Sequence, residues 1–301
     1  MTEPSVVTIG NFDGVHHGHR HVLDRARALA GSLRFGSPLP VIAVTFDPHP
    51  LDVIAPDHAP LRLSTLRQRI PLLRAAGADR VYVLAFSKEM SSWTPDEFVQ
   101  RVLVDQLRMA GIVIGENFRF GHKAAGDIDF LRDAGGRYGF TVDGLALDGG
   151  EVAYSSTLVR SLVAEGQVAQ AAEILDHPHT LEGVVVKGDQ RGRELGFPTA
   201  NMPADPDVAV PADGVYAGWV IRADGSRLPA AISVGINPTF DGVERRIESY
   251  VLDRTDLDLY GETISVEFVD RLRGQVKFTG VDDLVVTIQA DVDNTRTVLG
   301  L

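Results

Sequence analysis

Two imidazoles, His16 and His19, stand three residues apart in a stretch punctuated by Gly10, Gly14 and Gly18, with residues 8–21 reading TIGNFDGVHHGHRH. On a turn or a first helical turn that spacing aims both rings at one point, where each can donate a hydrogen bond. The glycines permit close approach of the backbone. If a helix begins there, its exposed N–H groups and macrodipole favour an anion. The chemistry that fits is phosphate binding, with Gly10, Asn11, Phe12, Asp13, Gly14 and Gly18 as the cradle. Histidines at this spacing serve a metal site or a solvated loop about as readily. The lack of cysteine and of an H-E-x-x-H helix weighs against zinc.

Other chemistry-bearing side chains fall at the ends of apolar runs. In FDPHP, Asp47 and His49 either line a cleft or cap the turn. Residues 115–127 read GENFRFGHKAAGD. There Asn117 can bond a phosphate or a ring edge, Arg119 can pair with phosphate, and Phe118 and Phe120 either border a planar ring or sit in the core. In YSSTLVR, Ser155, Ser156 and Thr157 precede a helix-compatible run and suit an N-cap. Residues 188–201, GDQRGRELGFPTAN, end with Thr199 and Asn201 two apart, on one face of an extended segment. Their hydroxyl and amide oxygens, with phosphate oxygens and water, suit Mg2+.

The elements that position these residues alternate in the first half. Apolar runs at 6–9, 41–45, 81–84 and 112–114 read as buried strands. Helical spacing predicts helices over 19–33 and 64–76, and TPDE at Thr94 supplies a cap, a proline and a glutamate for another start. A short helix is predicted over 168–175, and the pattern then changes to short strands at 181–186, 215–221, 230–234, 247–252 and 264–268. That spacing predicts an antiparallel barrel, covered by a terminal helix over 282–299. The expected division is residues 1–178 and 179–301.

With 301 residues, two domains are the prior. A net charge of -12 argues against nucleic acid or an acidic membrane as a partner, since binding either rests on Lys and Arg. No apolar run approaches the ~18 residues of a membrane span, and no secretory signal is visible at the start. Without cysteine, disulfides and thiol catalysis are excluded, which fits the cytoplasm.

The segment GNFDGVHHGH resembles the H-x-G-H signature of the nucleotidyltransferase superfamily, in the form carried by bacterial bifunctional riboflavin kinase/FAD synthetases. TFDPHP, the G-x-N-F-x-F-G segment, SST-x-x-R, G-x-x-x-G-R-x-L-G-F-P-T-A-N, GINPTF and the closing LYGETISVEF stretch follow in that family's order. The resemblance implies an α/β plus β chain: a Rossmann-like nucleotidyltransferase (FMN adenylyltransferase) domain, then an antiparallel β-barrel riboflavin kinase domain with a terminal helix. It implies phosphorylation of riboflavin to FMN and adenylylation of FMN to FAD, with ATP, riboflavin and FMN as substrates and Mg2+ as cofactor.

Carried over residue by residue, the resemblance makes Glu248 the general base, with Asp253 its rival, and His16 and His19 the groups that stabilise charge on the α-phosphate. Ser156, Thr157, Arg160, Gly188, Arg191, Gly196 and Pro198 join the nucleotide and phosphate contacts with Asn117, and Phe118, Arg119, Phe120 and Arg273 become flavin contacts. Leu158 stands where many members have a second arginine, Val276 lies where many carry an acidic residue, and the first strand begins nearer Met1 than in most. The competing expectations are a monofunctional kinase with a silent first domain and a flavin or nucleotide sensor without turnover. Partners are expected to be small molecules, with at most weak homo-oligomerisation.

Overall fold

All five residues of the first strand, β1 (Ser5–Ile9), are buried, the condition of a parallel strand covered on both faces. The computed structural model describes residues 3–33, 35–146, 154–188, 192, 195–239, 242–278 and 280–301. The chain packs as two units, Met1–Pro60 with Thr65–Ser155, and Leu61–Ser64 with Ser156–Leu301.

In the first unit, α1 (His17–Ser32), β2 (Val41–Phe46), α2 (Pro50–Ile54), α3 (Leu66–Ala75) and β3 (Arg80–Leu84) follow β1. Next come α4 (Lys88–Ser91), α5 (Pro95–Phe98) prolonged by the wider turns Val99–Gln106, β4 (Met109–Gly115), α6 (Ile128–Tyr138) and β5 (Thr141–Leu145). The five strands are parallel in the order β3-β2-β1-β4-β5. The chain steps outward from β1 to β3 and then returns to β1's other side. This reversal leaves a crevice at the carboxyl ends of β1 and β4, where open α/β sheets take ligands.

α1 buries Leu23, Ala26 and Ala30. Gly111 of β4 lets it pack closely, since a Cβ there would lie 3.0 Å from Leu29 and 3.2 Å from Leu33. The helix expected after Thr94 starts there, with Thr94 and Glu97 forming a reciprocal capping box. α6 and β5 were not expected from the pattern.

The second unit opens with α7 (Ser156–Glu165) and α8 (Val168–Leu175) and ends with α9 (Val281–Leu299). Between them lie β6 (His179–Val184), β7 (Thr199–Pro203), β8 (Gly214–Ile221), β9 (Arg227–Thr239), β10 (Gly242–Val251) and β11 (Thr263–Arg273). These strands are antiparallel in the order β6-β11-β8-β9-β10-β7. Past the end of β6, Val186 bridges Asn201 of β7, so the sheet curls until its two edges meet. Tyr216 and Phe268 are fully buried inside, their rings edge to face at 5.3 Å.

The chain passes from the first packing unit to the second at Ser155/Ser156. α7 and α8 lie with the second unit because their buried Val159, Val163, Ala171, Ile174 and Leu175 share a cluster with Leu63 and Ala209.

Candidate active sites

The first site is built on the loop between β1 and α1. Phe12 (φ 50°), Gly14 (φ 80°) and Val15 (φ 45°) all take left-handed backbone conformations, costly for the two non-glycine residues. The loop delivers His16 as N-cap of α1, its own side chain making no capping hydrogen bond. His16 is buried and stacks on His19, ring centroids 3.6 Å apart and planes inclined by 23°. Phe12 meets His19 edge-on at 5.1 Å. Gly18 makes room for this pair, since a Cβ there would stand 3.1 Å from the His16 ring.

Burial, then the neighbouring His16 and then Arg69 hold the His19 imidazole well below its ordinary value of 6.5. Its Nδ1 is buried without a hydrogen-bond partner among the described residues. A neutral ring with Nδ1 unprotonated strands no donor and leaves Nε2 to carry the N–H.

Neighbouring strand ends hold the loop. Gly10 N–H donates to Val44 O (3.1 Å), and Thr45 Oγ1 donates to Asn11 O (2.9 Å). His49 caps α2, its Nδ1 accepting from Leu51 N–H, and its Nε2 lies 2.8 Å from the Asn11 side-chain amide. Asp13 is buried and pairs with Arg69 of α3 at 3.5 Å. The Arg69 pairing was not foreseen, because an arginine within a helical pattern reads as part of a solvated face.

After β4, Asn117 is exposed and Arg119 donates to Phe118 O at 3.0 Å. Of the two readings for Phe120 the packing favours the core: its ring is buried with Phe98, Phe118 and Phe130 at 5.6 to 5.9 Å. Phe118 is only partly buried and stacks on it. The Phe12 ring is likewise core, leaving its backbone to the loop. Tyr154 lies 5.5 Å from His17. Ser156 and Thr157 start α7 in the second unit, where Arg160 donates through Nε to Leu61 O (2.6 Å) and Leu158 packs in the apolar cluster of that helix.

The second site joins β7 and β10. Glu248 stands opposite Asn201, and Tyr250 opposite Thr199, so these four side chains share one face. Thr199 Oγ1 donates to Glu248 Oε2 (3.4 Å), and the Asn201 amide lies 3.2 Å from Thr199 Oγ1. Gly188 lies against this group: a Cβ there would be 2.5 Å from the Asn201 side chain. Gly196 has φ 87° in the turn before Pro198. Beside Thr199 opens a pocket lined by Val185, Pro198, Val251, Leu257, Leu259 and Tyr260. The pattern gave no warning of it, because β7 was not read as a strand.

Asp253, the rival base, sits past β10 at φ 58°, largely exposed and paired with Arg296 at 2.7 Å. Arg273 directs Nε and Nη2 to Asp291 of α9 (2.9 and 2.7 Å) and Nη1 to Gly274 O (3.0 Å), so its donors face the terminal helix. Arg191 lies outside the described residues. Among the described residues no cluster of three His, Asp or Glu side chains stands ready for a metal. The hydroxyl of Thr199 and the amide oxygen of Asn201 are nevertheless of the hard donor type that suits Mg2+ together with phosphate oxygens and water.

The family model described as FAD synthetase matches residues 1–157, and the one described as riboflavin kinase matches residues 175–299. A bifunctional riboflavin kinase/FMN adenylyltransferase from Escherichia coli K12 is 38% identical, covering 99% of this chain and 94% of the relative. The protein of the same description from Pseudomonas fluorescens is 38% identical over 97% of this chain and 92% of its own. A crystal structure described as a macrolide-efflux protein from Streptococcus pneumoniae is similar with a TM-score of 0.87 and 33% identity, covering 98% of this chain and 95% of that one. Among the described residues of the present chain no helix is long and apolar enough to cross a membrane.

Proposed function

The chain belongs to the bifunctional riboflavin kinase/FMN adenylyltransferases, and from that premise we propose how its residues divide the two reactions. In the barrel, riboflavin presents its 5'-hydroxyl to the γ-phosphate of ATP. Glu248 takes the hydroxyl proton as the new O–P bond forms and the bond to the β-phosphate oxygen breaks, giving FMN and ADP. Glu248 is preferred to Asp253 because it faces Thr199 and Asn201 across the strand pair, whereas Asp253 is paired with Arg296. Thr199 and Asn201 would hold Mg2+, which when bound supplies charge neutralisation for the phosphates. The apolar pocket beside Thr199 suits a purine ring, and Gly188, Arg191, Gly196 and Pro198 border the nucleotide.

In the first unit, a phosphate oxygen of FMN attacks the α-phosphate of a second ATP, and pyrophosphate leaves. The attacking phosphate is already an anion at neutral pH, so the step needs positioning and charge stabilisation and no base. His16, His19 and the start of α1 supply hydrogen-bond donors for that charge, cradled by residues 10–14 and Gly18. Asn117 contacts the phosphates, with Phe118 and Arg119 on the flavin side. Small-molecule substrates, no nucleic acid and a cytoplasmic setting complete the reading.

The observation that carries this division is the Thr199–Glu248 contact in one unit and the His16–His19 stack in the other. The test is a time course with riboflavin, ATP and Mg2+, separating riboflavin, FMN and FAD. FMN should appear before FAD. FMN alone, even with FMN supplied directly, would mean a silent first unit, and neither product, with riboflavin or FMN still bound, would mean a sensor.

A further inference from the structure

We propose that Arg69, on α3 and outside every motif above, is a positioning residue for FMN adenylylation: its buried guanidinium fixes the β1–α1 loop, at Asp13 directly and at Asn11 through Thr45.

The Arg69 and Asp13 side chains are 5% and 4% exposed, with Nη2 3.5 Å from Asp13 Oδ1. From the same guanidinium, Nη1 donates to Thr45 Oγ1 (3.2 Å) and to Phe46 O (3.4 Å). Thr45 Oγ1 in turn donates to Asn11 O. One side chain therefore holds the loop directly at Asp13 and, through the Thr45 hydroxyl, at Asn11, on either side of Phe12, and ties both points to the carboxyl end of β2. Phe12 has positive φ and no glycine's freedom to adopt it, so the loop keeps this shape only while its neighbours enforce it. A planar fork with five donors suits such a task, and a single-point donor such as lysine suits it less.

A buried ion pair is weak evidence for stability, since an apolar replacement packs as well or better. What the cation does to its surroundings is the better reason for its presence. The charged and titratable groups acting on His19 are the stacked His16 and Arg69, with Asp13 paired to Arg69 and the uncharged Phe12 against the ring. Arg69 opposes a proton on His19, and its removal would take a cation away from Asp13. Both effects favour the imidazolium.

The inference rests on the proposal that the His16–His19 loop carries adenylylation. The full chain is assayed as wild type, Arg69→Gln, Arg69→Lys and His19→Ala, for FMN adenylylation and for riboflavin phosphorylation, with imidazole NMR titration of His19. Arg69→Gln should lower adenylylation at least about tenfold, because loop geometry is lost, while phosphorylation stays within about twofold and the His19 midpoint moves upward. Arg69→Lys should restore the midpoint and part of the activity. Unchanged adenylylation in Arg69→Gln would overturn the inference. So would parallel loss of both activities, or a His19 midpoint that stays put with Lys no better than Gln. If His19→Ala retains adenylylation, the reading of the loop itself fails, and the inference with it.

Discussion

The imidazoles of His16 and His19 stack at 3.6 Å between centroids, His16 at the cap of α1 and His19 on its first turn. Two rings that close disfavour simultaneous protonation, so the pair offers donors without a large fixed charge. Replacing His19 by Ala should lower FMN adenylylation by about 100-fold, the usual loss for a donor aimed at developing charge. Riboflavin phosphorylation should persist. Product analysis with FMN or riboflavin as the starting flavin separates the two, and equal loss of both would end this division of labour.

The depressed His19 value also makes stability depend on pH. Below about pH 6.5 the unfolded chain takes up a proton at this imidazole that the folded chain takes up only at lower pH. Stability contributed by the neutral ring is therefore present above that value and declines as the pH falls below it. Thermal unfolding from pH 7.5 downward to about 5 should show a shallower acid decline in His19→Asn than in the wild type. Identical slopes would place the ring in a solvated setting.

Glu248→Gln keeps the shape of the side chain and removes its basicity. Phosphorylation of riboflavin should fall by about 10²- to 10⁴-fold in kcat, while FMN supplied directly is still converted to FAD. Retention of phosphorylation would reopen the case for Asp253.

Much of both sites was legible because glycine spacing, paired histidines and the PTAN segment encode local geometry. What escaped was set by distant contacts. α6 contains Gly135 and Gly136 and so reads as broken. Yet Gly135 is needed there, since a Cβ would stand 2.6 Å from Phe140 O. Gly144 hides β5 in the same way, its missing Cβ occupied by Ile128 at 2.2 Å. Phe120 alternates with polar neighbours exactly as a site residue would, and only packing against Phe98 and Phe130 assigns it to the core. Arg69 falls within a helix of mixed pattern, and nothing local announces that its guanidinium is buried.

Thr199→Val removes a hydroxyl at nearly constant volume. If Thr199 is an oxygen donor for Mg2+, the concentration supporting half-maximal phosphorylation should rise about tenfold, with the requirement for adenylylation unchanged. A Mg2+ titration of each activity reads this directly, and an unshifted kinase curve would remove Thr199 from the metal set.

Arg273 and Asp291 form a two-point ion pair between β11 and α9, the arginine 23% exposed and the aspartate 8%. Asp291→Ala leaves the guanidinium without its carboxylate, and partial exposure of Arg273 reduces the cost of a fully buried break to about 2–3 kcal/mol. Arg273→Met combined with Asp291→Leu removes both charges and should recover most of that loss. Denaturant unfolding of the single and double variants measures the difference. The double variant also decides what Arg273 does: a helix tie predicts near-normal phosphorylation once stability is restored, whereas a flavin or phosphate contact predicts a folded barrel with weak activity. The bidentate geometry to Asp291 favours the first outcome.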